Sequence, residues 1–555
     1  MVPPFRAGPD HPSSSGRIRW IGNRSTGKAA VEFQIKGLAF PPRTVERPAM
    51  PHDHRIPTGS SPLAVSRRSL LGRLALGGLA LGTTVLPWRS APAQTAAPSS
   101  RPLVRQPPQG EFVIRGGYVL TMEPGAADLP RGDVHVRDGT IVAVGESLAA
   151  PGAEVIDGAG FIVSPGLVDT HWHMWTSLMR NMANSVPGSG YFLVVTRTGS
   201  AFLPEHMYAG TLLSAAEAIN AGITTVHDWC HNIRSPEHAR SDVQALKDAG
   251  IRGRFSYGPY RPLSPRQPLD VADFTRLHDQ WQDYENGGLL SLGLGWRGVQ
   301  SVVQEPGGTA KLVPGDPAVY RADFDAARER GLPVSLHANS TPADHGHVAA
   351  LERLGLLHEG FQVVHATHIT PAEVEAMAKR GAVVTLSPFS EMTIGYGVPP
   401  VRAFLDAGVA TGLSVDTTPL TGDADMMDIM KVTHNLFNGQ AMSEFGTTAR
   451  RMLELGTLEG ARSLGLSAIT GSLAAGKRAD LIMTAIHDRS QGLSMTPVTD
   501  MAHMIVHSAG PGDVDTVIVD GRVLKQGGRL TAIDTEEVKR RAAAASDFVR
   551  SAAPG

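Results

Sequence analysis

Between about residues 166 and 465 the chain alternates short apolar runs with amphipathic helical stretches, and this alternation constrains the fold more than any single motif. Candidate strands are residues 162–169, 222–228, 251–258, 289–296, 332–339, 361–368, 382–387 and 409–416. Helical patterns such as "PEHMYAGTLLSAAEAINA" and "DPAVYRADFDAARERG" lie between them. Eight β/α units in one stretch predict an α/β fold, a (β/α)8 TIM barrel over 165–465. An open doubly wound sheet fits less well, because no GxGxxG follows the first strand.

The flanks read differently. "EFVIRGGYVLTM", "GDVHVRDGTIVAVG" and "AEVIDGAGFIVSPG" alternate polar and apolar residues between glycine-containing turns, and the same grammar returns in "VDTVIVDGRVLKQGGRL". Residues 110–164 and 466–530 are therefore expected to form one small β-sandwich domain built from both ends of the chain, with 531–555 a C-terminal helix or tail.

Residues 1–65 are rich in Pro, Ser, Gly and Arg and read as disordered, or as a mis-assigned start with Met50 as an alternative first residue. Residues 66–93 resemble a twin-arginine signal peptide. They carry Arg67-Arg68, a glycine-rich apolar stretch from Leu74 to Leu86, and Ala-Pro-Ala at 91–93. The apolar stretch is short for a membrane span, the alternative being an arginine-flanked anchor. The expectation is an exported protein, periplasmic or secreted, that leaves the membrane once the signal is cleaved.

Composition narrows the chemistry. A net charge of -2 gives no steering towards nucleic acid. The single cysteine, Cys230, excludes an intramolecular disulfide and a cysteine-based zinc site, so a metal would need His and carboxylate ligands.

Polar residues interrupt the candidate strands at their C-terminal ends, where (β/α)8 barrels gather their active sites. His171 and His173 follow the first strand, His227 and Asp228 end the second, and His337 ends the fifth. His365 lies near the end of the sixth and Asp416 closes the eighth. Residues i and i+2 of an extended segment point the same way, so His171 and His173 can grip one ion. Two further N or O donors from distant strands would complete a shell suited to Zn²⁺, with Fe²⁺ or Mn²⁺ as alternatives.

The segments "PGLVDTHWH" (165–173), "AGITTVHD" (221–228), "VSLHAN" (334–339), "VVHATHIT" (363–370) and "GLSVD" (412–416), with the closing "GSLAAGKRADLIM" and "VIVDGRVLKQGG", resemble the amidohydrolase superfamily in its cytosine deaminase and chlorohydrolase-like branch. The resemblance implies that His171, His173, His337 and Asp416 bind one divalent metal. It implies that His365 acts on the substrate or adds a ligand, and that Asp416 also takes the proton of the attacking water. Binuclear relatives carry a lysine on the fourth strand, which "LLSLGLGWRGVQ" lacks, so one metal is expected. Deaminases of this branch commonly place a glutamate three residues after the fifth-strand histidine, where this chain has Ser340. Asp344 and His347 are the nearest substitutes, although "TPADHGH" also reads as a solvated loop.

Trp175 is a candidate for the substrate pocket, whereas Trp172, which alternates with the histidines, is expected to pack behind the barrel. His227 and Asp228 are candidates for orienting the ligand imidazoles. His368 is expected to cap a turn and His434 to lie on a helix. The function expected is metal-dependent hydrolysis of a non-peptide C–N bond, of amide, lactam, urea or carbamate type, in a small aromatic or heterocyclic substrate. The alternatives are deamination or dechlorination of an N-heterocycle, or a non-catalytic binding protein on a decayed barrel. The expected partner is a small molecule, and assembly into a homo-oligomer is left open.

Overall fold

The computed structural model describes residues 103–260, 263–304, 310–486 and 500–553, so the expected signal peptide and the segment before it lie outside the described residues. Eight parallel strands form the central sheet: β1 (Leu167–Trp172), β2 (Ile223–Ile233), β3 (Arg252–Pro259), β4 (Leu290–Trp296), β5 (Val334–Ala338), β6 (Gln362–His365), β7 (Val383–Leu386) and β8 (Thr411–Leu413). They neighbour one another in chain order, the arrangement of a (β/α)8 barrel. β1 and β8 meet through a parallel bridge between Trp172 and Asp416. There the His173 amide donates to the Asp416 carbonyl at 2.7 Å and the Asp416 amide to the His171 carbonyl at 2.9 Å.

A buried carboxylate ties the same seam. Asp169 accepts the His171 amide at 3.0 Å through Oδ1 and the Val415 amide at 2.8 Å through Oδ2. Burial pushes its pKa well above the usual carboxylate range, against the pull of those two amides.

The helices follow local rules. Pro236 opens the helix Pro236–Ala249 at the position where a missing N–H costs nothing, and Gly250 closes it at φ +72°. The C-terminal helix Thr535–Ala552 is no loose tail: it packs on the helix Pro204–Asn220, and Ser546 Oγ donates to the Leu178 carbonyl at 2.9 Å. Among the described residues no helix is long and apolar enough to cross a membrane.

The segments on either side of the barrel, Glu111–Pro165 and Leu481–Leu530, enter one nine-stranded sheet. They join where Phe161–Pro165 pairs antiparallel with Leu481–Ala485, Pro165 opposite Leu481. An apolar cluster of its own, including Phe112, Ile114, Val134, Ile141, Leu481 and Ile518, backs this sheet.

Several strand limits differ from the sequence pattern. The run at 162–169 is two strands: Phe161–Pro165 belongs to the composite sheet, and the barrel begins at Leu167. Gly166 makes the transfer, because a Cβ there would fall 2.1 Å from Thr224 Oγ1. β2 continues to Ile233 and is buried throughout. β5 and β6 stop early because Asn339, His365 and Ala366 have φ of +51°, +71° and +50°, outside the β region; β8 ends at Leu413, and Asp416 beyond it has φ of +61°.

Arg252, at the start of β3, locks the barrel to the composite sheet. Its Nε donates to Asp480 Oδ2 at 2.6 Å and its Nη2 to Asp520 Oδ1 at 3.2 Å, with all three side chains buried. Removing one partner of a buried ion pair strands the remaining charge. Arg252→Met is expected to lower the unfolding free energy by about 3–5 kcal/mol, as measured by denaturant melts; a loss within error would show that the lock is not needed.

Candidate active site

At the C-terminal end of the barrel, His171, His173, His337 and Asp416 converge so that one ligand atom from each lies within 4.8 Å of the others. The His171 and His173 rings are 4.6 Å apart edge to face, and His337 stacks on His173 at 5.2 Å between centroids. Asp416 Oδ1 stands 3.2 Å from His171 Nε2 and 3.5 Å from His173 Nε2. The expected pair from β1 thus meets one residue from β5 and one from just beyond β8.

The donors are prepared for an electrophile. His171 is fully buried, and among the described residues neither ring nitrogen makes a hydrogen bond, although Nε2 faces Asp416 Oδ1. Burial holds its pKa well below the ordinary value, so the ring is the neutral, lone-pair-bearing form. The His173 Nδ1–H donates to the Trp229 carbonyl at 2.7 Å, which leaves Nε2 as the coordinating atom. A buried imidazole that makes no hydrogen bond is costly unless something fills the space it faces. Three imidazoles and one carboxylate form a donor set that fits Zn²⁺.

His365 adjoins the group, with its ring 5.3 Å from His337 and 5.9 Å from His171. Its Nδ1 is 3.1 Å from Oε1 of Glu391, a fully buried residue of the short helix Pro388–Thr393. Burial alone would push the pKa of His365 down, but the Glu391 and Asp416 carboxylates outweigh it and the pKa is raised. Burial lifts Glu391 above the usual carboxylate range despite its contact with His365.

Other expectations are corrected. Trp175 does not line an open pocket. It is 1% exposed, its ring packs on Phe202 at 4.9 Å, and the helix Pro204–Asn220 presses Gly210 against its backbone. His227 holds barrel strands together, its Nδ1–H donating to the Thr170 carbonyl at 3.0 Å while Nε2 accepts from Ser256 Oγ at 2.7 Å. Asp228 accepts the Met174 amide at 3.4 Å and so supports the backbone just after His173. Burial, then the neighbouring Asp242 carboxyl, raises its pKa well above the usual range.

Of the two substitutes for the acid missing at Ser340, His347 is not placed as one, whereas Asp344 lies near enough for its charge to help raise the pKa of His365. His347 Nε2 accepts the Val299 amide at 3.2 Å, and burial lowers its pKa to about 4. Asp344 Oδ1 caps its own loop by accepting the Thr341 amide at 2.6 Å. Trp172 is fully buried, and His368 fastens a turn through the Tyr396 carbonyl at 2.6 Å.

Four residues at the site escape a reading of the strand ends. Asp169 sits inside a strand pattern, and Trp229 and His231 lie in what reads as a loop after the second strand. The extension of β2 carries the Trp229 ring to 4.6 Å from His337 and the His231 ring to 3.9 Å from His173. Gly295 on β4 makes room, since a Cβ there would lie 2.9 Å from the Trp229 indole. Glu391 follows the seventh strand with no spacing that links it to His365.

The sequence model of the amidohydrolase family matches residues 162–524. A 5'-deoxyadenosine deaminase of Methanosarcina mazei is 28% identical over 453 residues, 79% of this chain and 98% of its own length. A 5-methylthioadenosine/S-adenosylhomocysteine deaminase of Natronomonas pharaonis is 30% identical over 441 residues, 77% of this chain and 96% of its own. Among solved structures, a zinc-bound adenosine deaminase from Xanthomonas campestris superposes with a TM-score of 0.68 at 27% identity, covering 80% of this chain and 100% of that one. An atrazine chlorohydrolase from Arthrobacter aurescens, complexed with zinc, shares the fold at 22% identity with a TM-score of 0.68, over 78% of this chain and 100% of that one. With a family match that takes in both the barrel and the return to the composite sheet, the chain belongs to the amidohydrolase family.

Proposed function

We propose that the protein is a metal-dependent hydrolase that cleaves a non-peptide C–N bond of a small nitrogen heterocycle, with one divalent metal, Zn²⁺ first, held by His171, His173, His337 and Asp416. The observation that carries this reading is the convergence of one ligand atom from each of those four side chains within 4.8 Å, around a buried His171 whose ring makes no hydrogen bond among the described residues. When bound there, the ion lowers the pKa of water from about 15.7 towards ~7 and so makes a nucleophile available at neutral pH.

The chain's own residues do the rest. Asp416 lies beside the ligand imidazoles and accepts the proton that the attacking water loses, then returns it to the departing nitrogen. His365 turns Nδ1 to Glu391 and, in its charged form, which Glu391 and Asp416 favour, donates a hydrogen bond from Nε2 to the oxygen or ring nitrogen on which negative charge develops. The deep, buried setting excludes bulk water from these contacts and strengthens each of them.

Relatives that are deaminases of adenosine-type compounds favour displacement of an exocyclic amine as the specific reaction. Opening of an amide, lactam or urea bond is the second reading, favoured by Ser340, which leaves the position of the usual ring-protonating acid without one. A panel of 5'-deoxyadenosine, 5'-methylthioadenosine, a cyclic urea and an aryl lactam separates them. Deamination releases ammonia and keeps the ring, whereas lactam opening adds water without loss of ammonia. No turnover of any C–N compound by zinc-loaded protein would favour a binding protein on this barrel. We also propose export by the twin-arginine route with cleavage near Ala93, on the strength of Arg67-Arg68 and Ala-Pro-Ala.

The purified protein is expected to hold about one zinc per chain by elemental analysis. His171→Ala is expected to lose most of it, since even losing partners of metal ligands costs ~10–100-fold in affinity; full retention would refute the ligand set. His365→Ala is expected to keep the metal and lose ~10²–10³ in kcat. Asp416→Asn, which can no longer accept a proton, is expected to lose more; near-normal kcat in either variant would refute the roles given. Replacing Arg67 and Arg68 by Lys is expected to leave precursor in the cytoplasm on fractionation, and unchanged export would point to the general secretory route.

A further inference from the structure

Glu391 stands on no barrel strand, yet its side chain meets the ring that faces the substrate. An ionised carboxylate only accepts hydrogen bonds, so the 3.1 Å contact places the proton of His365 on Nδ1 and leaves Nε2 for the ligand group's side of the ring. Oε1 also accepts the Ser387 amide at 2.8 Å, while Oε2 is buried with no hydrogen-bond partner among the described residues. Pinning a turn needs only a neutral amide; a buried acid with one oxygen unsatisfied is a costly choice for that alone.

The backbone shows what is being held. His365 and Ala366 adopt φ of +71° and +50°, a conformation that persists only where neighbours impose it. The Glu391 carbonyl accepts amides from Tyr396 at 2.9 Å and Gly397 at 3.3 Å, and the Tyr396 ring lies 5.4 Å from that of His365. One residue thus fixes the imidazole through its side chain and the adjoining loop through its main chain.

We propose that Glu391 is the positioning residue of His365, fixing its tautomer and ring orientation and bringing to the site, from the segment after β7, the acidic side chain that position 340 lacks. This rests on the reading of His365 as the group that acts on the substrate. The effect of Glu391 on the substrate passes through the imidazole.

Glu391→Gln separates the two roles, because it retains the main-chain contacts and the side chain's size but no longer dictates which ring nitrogen carries the proton. Histidine-selective ¹⁵N NMR of the zinc-loaded wild type should show a downfield Nδ1–H resonance that vanishes in His365→Asn and moves upfield in Glu391→Gln. On whichever panel compound the wild type turns over, Glu391→Gln should lose about 10–100-fold in kcat with KM little changed and zinc retained. Glu391→Asp should recover part of that loss. An Nε2–H tautomer for His365 in the wild type, or an unchanged resonance and kcat in Glu391→Gln, overturns the proposal. A His365→Ala variant with undiminished kcat overturns the catalytic reading of His365 instead, and the NMR comparison still decides the pairing.

Discussion

The closure of the barrel between β1 and β8 is the constraint on which the rest depends. Asp169 ties the two strands through the amides of His171 and Val415, and the backbones of His171, His173 and Asp416 are hydrogen-bonded to one another across the seam. Three of the four candidate ligands are therefore fixed by the bonds that shut the barrel. A residue that loosened the seam would lose its closure and its metal geometry together. His337, from the opposite side of the mouth, completes the set only because the circle is closed.

That arrangement carries an electrostatic cost. Burial drives His171 to its neutral form and raises the pKa of Asp169 well above the usual carboxylate range, so full charges at the seam are disfavoured where the dielectric is low. Among the described residues, the remaining polar tension lies in buried atoms that make no hydrogen bond, such as His171 Nδ1 and the indole nitrogen of Trp229. Left-handed backbone at Asn339, His365, Ala366 and Asp416 adds strain of about 1–3 kcal/mol each at the same end of the barrel. The locks elsewhere, among them Arg252 with Asp480 and Asp520, are what such a mouth requires of its scaffold.

How much of this is legible in the sequence follows from what each residue's signal is made of. The eight strands announce themselves by apolar runs of regular spacing, and His171, His173, His337, His365 and Asp416 stand out as polar interruptions at their ends. Gly166 shows why a run can mislead: one unbroken apolar stretch serves two sheets, and the switch is set by contact with Thr224, a residue far along the chain. Trp175 and His347 look like pocket residues by type, but the helices that cover them are placed by tertiary packing that no local pattern reports. Glu391 is the reverse case. Its segment reads as an ordinary turn after a strand, and only the folded barrel brings it against His365.

The orientation of His173 has a consequence for how such a site can change over generations. Its ring is set by the carbonyl of Trp229, which every amino acid at that position would supply. The indole on the same residue leans on His337, so one position supports the candidate ligand His173 through its backbone and meets the candidate ligand His337 through its side chain. Codon changes there can alter the side chain that meets His337 without disturbing the tautomer that binding of the ion requires. A candidate ligand held by a main-chain carbonyl has a support that side-chain substitution at that position leaves in place.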